Sequence, residues 1–287
     1  AVHLSPDGKT IVTTTSDNVN NGLLRIWDAA SATVLQDVPA RTGGAFSPDG
    51  KWFAFAKPGQ RVEMQLLDMA TRKVQPGTLP VEGPAFPQLL FTPDSQSLWV
   101  QSGNDFVRYA LPTFQPQQRL KLKEPQDARS IKIHASLDRK TFLVERNPKG
   151  ATGVRTRSLY AAADGKLMPI PKPAPGETSP FVRLRQTGTS VEVEDFLGGV
   201  SLAVGQHRYV MQTATLHPER NYGVLSSMPQ NNLPARFHLW DLKERRPHLT
   251  IPEVGGNASL WVRFSPDGRS LAWTTTAGWT RVVPTDW

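Results

Sequence analysis

A five-residue phrase that recurs along the 287 residues constrains this chain more than any other feature. Ser5-Pro6-Asp7-Gly8-Lys9, Ser47-Pro48-Asp49-Gly50-Lys51 and Ser265-Pro266-Asp267-Gly268-Arg269 are near-identical copies, and Thr92-Pro93-Asp94-Ser95-Gln96 is a variant. Ser136-Leu137-Asp138-Arg139-Lys140 and His217-Pro218-Glu219-Arg220-Asn221 are weaker copies in the same register. The phrase spells a tight reversal: Pro presets φ, Asp bonds the backbone beyond it, and Gly takes a positive φ at no steric cost. Asp7, Gly8, Asp49, Gly50, Asp94, Asp138, Asp267 and Gly268 are therefore read as structural turn formers. Short β-branched or aromatic runs flank the reversals, such as 261–264 before one and 10–14, 52–56, 97–100 and 270–273 after others. Each unit thus opens as a β-hairpin.

A third strand follows in several units, at 23–28, 62–68, 105–111, 154–160 and 236–241, then a small polar turn and a fourth short segment. Four strands per unit is the blade of a β-propeller. Counted at the Pro position, successive steps are 42, 45, 44, 81 and 48 residues. The long step is about two periods of roughly 40–45 residues, so one blade there has lost its turn phrase. That degenerate blade is placed at 181–212, with inner strands 181–185 and 190–196 and a turn at Thr187-Gly188. The expected fold is a single all-β domain over 1–287, a seven-bladed propeller of four-stranded antiparallel blades. Because 169–180 is rich in Pro, six blades with a large insertion is the structural alternative.

The Trp27-Asp28 and Trp240-Asp241 dipeptides at strand ends, about 20 residues after the turn phrase, resemble WD-repeat propellers. The phrase followed by Lys and an apolar strand is also similar to the repeats of bacterial TolB-type propellers. The resemblance covers nearly the whole chain and is weakest over 166–212. It departs from the family in lacking any Gly-His dipeptide, so the His–Asp network of well-formed WD repeats does not carry over. Leu67-Asp68, Ala110-Leu111 and Leu159-Tyr160 replace the Trp-Asp pair elsewhere, which points to an array held by packing between blades. Rings of this family close by having one terminus supply a strand to the other's blade. The outermost strand of the last blade is expected from 284–287, or from residues upstream of Ala1 in a longer protein.

Chemistry is sparse. With zero Cys there is no thiolate metal site, disulfide or cysteine nucleophile. The six His fall in no metal-ligand spacing. His3 and His134 sit two residues before a turn Ser, and His217 replaces one, so packing between blades is their expected role. No Gly-x-Ser-x-Gly elbow or Gly-x-x-x-x-Gly-Lys loop occurs. Glu192 and Glu194 share one strand face by alternation, a solvated face rather than an acid–base pair. Trp52, Trp99, Trp261 and Trp273 are expected to fill the gaps between blades. The chain is therefore read as non-enzymatic, with no cofactor and no metal.

Lys+Arg 33 against Asp+Glu 25 gives a formal +8 and favours acidic partners. The cations are scattered without interleaved aromatics, which speaks against nucleic acid. Mean hydropathy is −0.38 and no apolar run is long enough to span a bilayer. The resemblance implies that function lies in loops on one face, at 41–44, 58–61, 103–105, 146–152, 230–234 and 278–279. The expected function is a non-catalytic protein–protein interaction or scaffolding platform, with a propeller enzyme or small-ligand binder as the alternative. Arg146, Asn147, Lys149 and Arg155 form the densest polar loop, and with Trp279 they are the candidate partner-binding residues.

Overall fold

A computed structural model of the chain describes residues 1–18, 21–41, 43–82, 87–122, 128–136, 138–148, 156–171, 181–187, 190–195, 201–206, 211–217, 222–227, 236–242, 244, 246–252, 259–265, 268–275 and 280–285. Among them every regular element is a β-strand, and every strand pairing is antiparallel between neighbours in sequence or nearly so. The first sheet is β1 (Val2–Leu4), β2 (Thr10–Asn18), β3 (Asn21–Asp28) and β4 (Val34–Pro39). The second is β5 (Ala45–Phe46), β6 (Trp52–Ala56), β7 (Val62–Asp68), β8 (Lys73–Val74) and β9 (Leu79–Val81), where β8 and β9 both pair with β7. Next come β10 (Leu89–Phe91), β11 (Ser97–Ser102), β12 (Asp105–Ala110) and β13 (Gln115–Lys121). They are followed by β14 (Ala128–Ala135), β15 (Thr141–Pro148), β16 (Thr156–Ala161) and β17 (Leu167–Met168).

The stretch expected to hold a degenerate blade carries β18 (Val182–Thr187), β19 (Ser190–Asp195) and β20 (Ser201–Gln206) as one sheet. Another four-stranded sheet is β21 (Met211–Leu216), β22 (Tyr222–Ser227), β23 (Arg236–Asp241) and β24 (Arg246–Pro252). The last is β25 (Ser259–Phe264), β26 (Ser270–Thr275) and β27 (Thr280–Pro284). These meandering sheets are the blades of a β-propeller. The four-stranded antiparallel blade expected from sequence is the recurring unit; among the described residues β18–β20 and β25–β27 show three strands and the β5–β9 sheet five. Pro284, assigned from sequence to an outermost strand, instead ends β27 opposite Ser270. Asp286 and Trp287 lie outside the described residues.

The apolar runs are continuous rather than alternating because both faces of a blade are covered. Consecutive side chains point to opposite faces. Leu98 and Val100 of β11 join the core with Trp52, Ala54, Met64 and Leu66, whereas Trp99 between them joins Phe106, Phe142 and Val144. In the same way Val224 and Leu239 pack with Val262 and Trp273, while Leu225 and Trp240 pack with Val191 and Val193.

By contacts the chain divides into two compact units. One is Ala1–Thr13, Ile26–Val34 and Lys172–Trp287, the other Thr14–Arg25 and Leu35–Pro171. The first unit contains three of these clusters, including one in which Val2, Leu4 and Ile11 pack on Ala272. The second contains those built around β6–β7 and around Trp99.

Candidate functional site

The recurring phrase folds alike in each copy where it is described. Ser5 N–H donates to Thr10 O (2.9 Å), Gly8 N–H donates back to Ser5 O (3.0 Å), and the Ser5 hydroxyl donates to Asp7 Oδ1 (2.6 Å). Lys9 N–H reaches the same carboxylate oxygen at 3.1 Å, and Thr10 N–H reaches Ser5 Oγ at 2.9 Å. Ser47 with Asp49, Thr92 with Asp94 and Ser136 with Asp138 repeat the hydroxyl–carboxylate contact at 2.6 Å. In the last copy Ser270 N–H donates to Ser265 Oγ at 2.9 Å, and Gly268 has φ +69°; Asp267 lies outside the described residues. The fourth position is left-handed in every described copy, at Gly8, Gly50, Ser95 and Arg139 as well.

These carboxylates are occupied by the turn itself. Burial pushes the Asp7 carboxyl up, but the Ser5 hydroxyl and the Lys9 amide outweigh it and hold it below the usual range. The Thr92 hydroxyl, with the Gln96 amide, holds Asp94 low against a weaker effect of burial.

A second set of turn carboxylates closes the far ends of the third strands. Asp28 Oδ1 accepts from Ala30 N–H (3.0 Å) and Ser31 N–H (2.8 Å), and Asp68 does the same for Ala70 and Thr71 at 3.0 and 2.9 Å. Asp241 accepts from Glu244 N–H at 2.9 Å. The aspartates of the Trp-Asp pairs therefore cap the backbone of the turn that follows them. Trp27 Nε1–H donates to Thr13 Oγ1 at 2.9 Å.

Neighbouring blades are clipped together at these same turns. Asp49 N–H donates to Ser95 Oγ at 3.1 Å, and His217 Nε2 meets Gly268 O at 2.9 Å with its ring edge-on to Phe264. His217 thus packs between blades, as its register predicts. Trp99 is fully buried and donates from Nε1 to Ala162 O at 2.8 Å. Arg108 lies over its ring at 5.8 Å and reaches Ala163 O. Sequence reasoning placed His217 and Trp99 between blades but missed the Asp49–Ser95 clip and the backbone carbonyls that His217, Trp99 and Arg108 reach, because no residue type announces a bond to the next unit.

Of the candidate partner-binding residues, Arg146 is corrected from loop to strand. It lies in β15, paired opposite Thr156, with Nε–H donating to Leu122 O (2.6 Å) and a terminal N–H donating to Ser158 Oγ (3.0 Å). Arg146 therefore pins the base of the loop. Asn147 continues β15 opposite Ser130. Lys149, Arg155 and Trp279 lie outside the described residues.

Beside this base the buried Glu145 pairs with Arg157 at 3.2 Å. On the innermost strand β25, Arg263 is open to solvent yet closely surrounded by protein, and that desolvation lowers its pKa. Among the described residues no group of three His, Asp or Glu is placed to hold a metal ion, and no helix is long and apolar enough to cross a membrane.

No family model and no curated protein sequence matches the chain. Among solved structures it is similar to Kuenenia stuttgartiensis hydrazine synthase, with a TM-score of 0.64 at 13% identity over 99% of this chain and 95% of that one. At that identity the likeness concerns the fold alone, and it agrees with the β-propeller seen in the sheets.

Proposed function

We propose that the chain is a non-catalytic, WD-repeat-like propeller that serves as a protein-interaction platform. The observation that carries this reading is the base of the 149–155 loop. β15 and β16 are held in register up to the Arg146–Thr156 pair, and the Arg146 guanidinium ties both strands to Leu122 O. The residues between these strand ends, with the cations Lys149 and Arg155, are thus joined at both sides to a fixed support, and binding segments work best on rigid scaffolds.

Charge reversal tests the platform. Lys149→Glu with Arg155→Glu is expected to abolish capture of acidic protein partners by the 287-residue chain, and raised salt is expected to weaken capture by the wild type. Undiminished capture by the reversed loop overturns the assignment. If wild type captures nothing while a metabolite raises its melting temperature, the second reading, a small-ligand-binding or enzymatic propeller, takes its place.

A further inference from the structure

The positive charge is not spread evenly. Between Ala128 and Met168, the span of the β14–β17 sheet, nine Lys and Arg stand against three Asp and Glu, so this blade carries +6 of the chain's +8. The three acids each have a local partner, and Glu145 is buried while Asp138 and Asp164 lie in exposed turns. Asp138 takes the Ser136 hydroxyl, Asp164 takes Lys166 N–H at 3.0 Å, and Glu145 pairs with Arg157.

The same blade exposes an apolar edge. Leu167, Met168 and Ile170 are 64%, 37% and 40% exposed, and Val34 is the one other large hydrophobic so exposed among the described residues. They stand beside exposed Lys166 on the outermost strand, Leu167 opposite Tyr160 and Met168 opposite Leu159, so the two side chains leave on opposite faces. Three large apolar side chains are thus exposed within four positions along this edge, a local concentration of apolar surface that a docking partner would cover.

Backbone pairing is not how that edge is used. Lys166 O accepts from Ala161 N–H at 2.9 Å and so points inward. By alternation Leu167 is the outward position of β17, and Pro169 and Pro171, which follow it, have no N–H to offer an added strand. A second copy of this blade would also bring +6 against +6. The edge fits a partner that docks by side chains, supplies apolar groups and carries negative charge.

We propose that the outer edge of this blade, Lys166 to Ile170, is the docking site for an acidic amphipathic segment of a partner protein. The inference rests on the interaction-platform reading, and it adds the partner's chemistry and a contact surface apart from the 149–155 loop.

The test uses the 287-residue chain and a short fluorescein-labelled helical peptide of Glu and Leu, with the Leu on one face. A peptide with Ser for Leu and one with Lys for Glu serve as controls. Fluorescence anisotropy is expected to show the Glu/Leu peptide binding more weakly as salt rises, with both controls at least about tenfold weaker. Leu167→Ser with Ile170→Ser, both at exposed positions, should weaken binding by roughly tenfold without moving the melting temperature. Hydrogen exchange at Leu167, Met168 and Ile170 should slow when the peptide is added. Equal binding of the Glu/Ser peptide, or unchanged binding by the edge variant, overturns the proposal. Protection over 149–155 with none at the edge, and binding lost only in the Lys149→Glu/Arg155→Glu protein, ends the edge assignment and leaves the platform standing. Concentration-dependent dimerisation lost in the edge variant would assign the patch to a second copy and also overturn it.

Discussion

At the scale of single residues, the fourth position of the turn phrase shows backbone and sequence in conflict. Gly8, Gly50 and Gly268 meet the left-handed conformation freely, whereas Ser95 and Arg139 adopt φ +61° and +58° with a Cβ present. That conformation costs an L-residue about 1–2 kcal/mol, part of which glycine's greater chain entropy takes back. Replacing Ser95 would also break its bond to Asp49 N–H in the neighbouring sheet. Arg139→Gly is expected to stabilise the protein by about 0.5–1 kcal/mol in urea unfolding, and a lower midpoint would contradict the assignment. The carboxylates beside this position set the acid response. Asp7 and Asp94 have folded-state pKa values below their unfolded ones. Their contribution is therefore complete above the unfolded value of about 4 and is lost as pH falls through the folded value. Asp94→Asn should cost about 1 kcal/mol at neutral pH, discounted for its exposure, and should flatten the loss of stability below about pH 4. A parallel acid limb in the variant would show that another group controls it. A second left-handed position, at Ala32, Arg72, Phe114 and Gly165, follows the third strands. It was not legible in the sequence, because four different residue types occupy it and only the backbone is common.

At the scale of elements, what could be read was the hairpins, since turn chemistry and β-rich flanks speak locally. The strands 52–56, 62–68 and 236–241 fall where expected, and the degenerate region pairs as β18–β19 with Val182 opposite Asp195. What could not be read was the use of each face, because a strand buried on both sides shows no period. Trp99 illustrates the consequence. It was expected between blades, and it does fill that gap, but its indole N–H also bonds the buried Ala162 carbonyl of the next sheet. Trp99→Phe keeps most of the apolar contact with Phe106 and Phe142 and leaves that carbonyl without its donor. The expected loss is about 2–3 kcal/mol, the sum of a buried unmade hydrogen bond and a small cavity. A loss under about 0.5 kcal/mol, no more than an ordinary surface change, would mean that the clip adds nothing beyond packing. The candidate loop was legible in the same limited sense: its charge is local information, whereas the inward turn of Arg146 depends on Leu122, a residue of the preceding unit.

At the scale of the whole molecule, the ends of the chain depend on each other through packing. The innermost strand of the first sheet lies against the last sheet: Val2, Leu4 and Ile11 share a buried cluster with Ala272, bordered by Trp27 and Val282. Ala272 has no accessible surface, and its small side chain lets β1 approach β26 closely. In an array of repeats each sheet is stabilised mainly by its neighbours, so a weak interface lowers the stability of everything that relies on it. This seam also joins the sheet that lacks a fourth strand among the described residues to one that has all four. Leu4→Ala removes buried atoms at the seam and is expected to cost about 2–4 kcal/mol. The comparable truncation of the exposed Val34 should cost less than about 0.5 kcal/mol. If the seam couples the first and last sheets, Leu4→Ala will shift one urea transition as a whole, with tryptophan fluorescence and far-ultraviolet dichroism moving together. If fluorescence and dichroism separate, or if Leu4→Ala is as mild as Val34→Ala, the two sheets unfold independently and the array is held by its local hairpins alone.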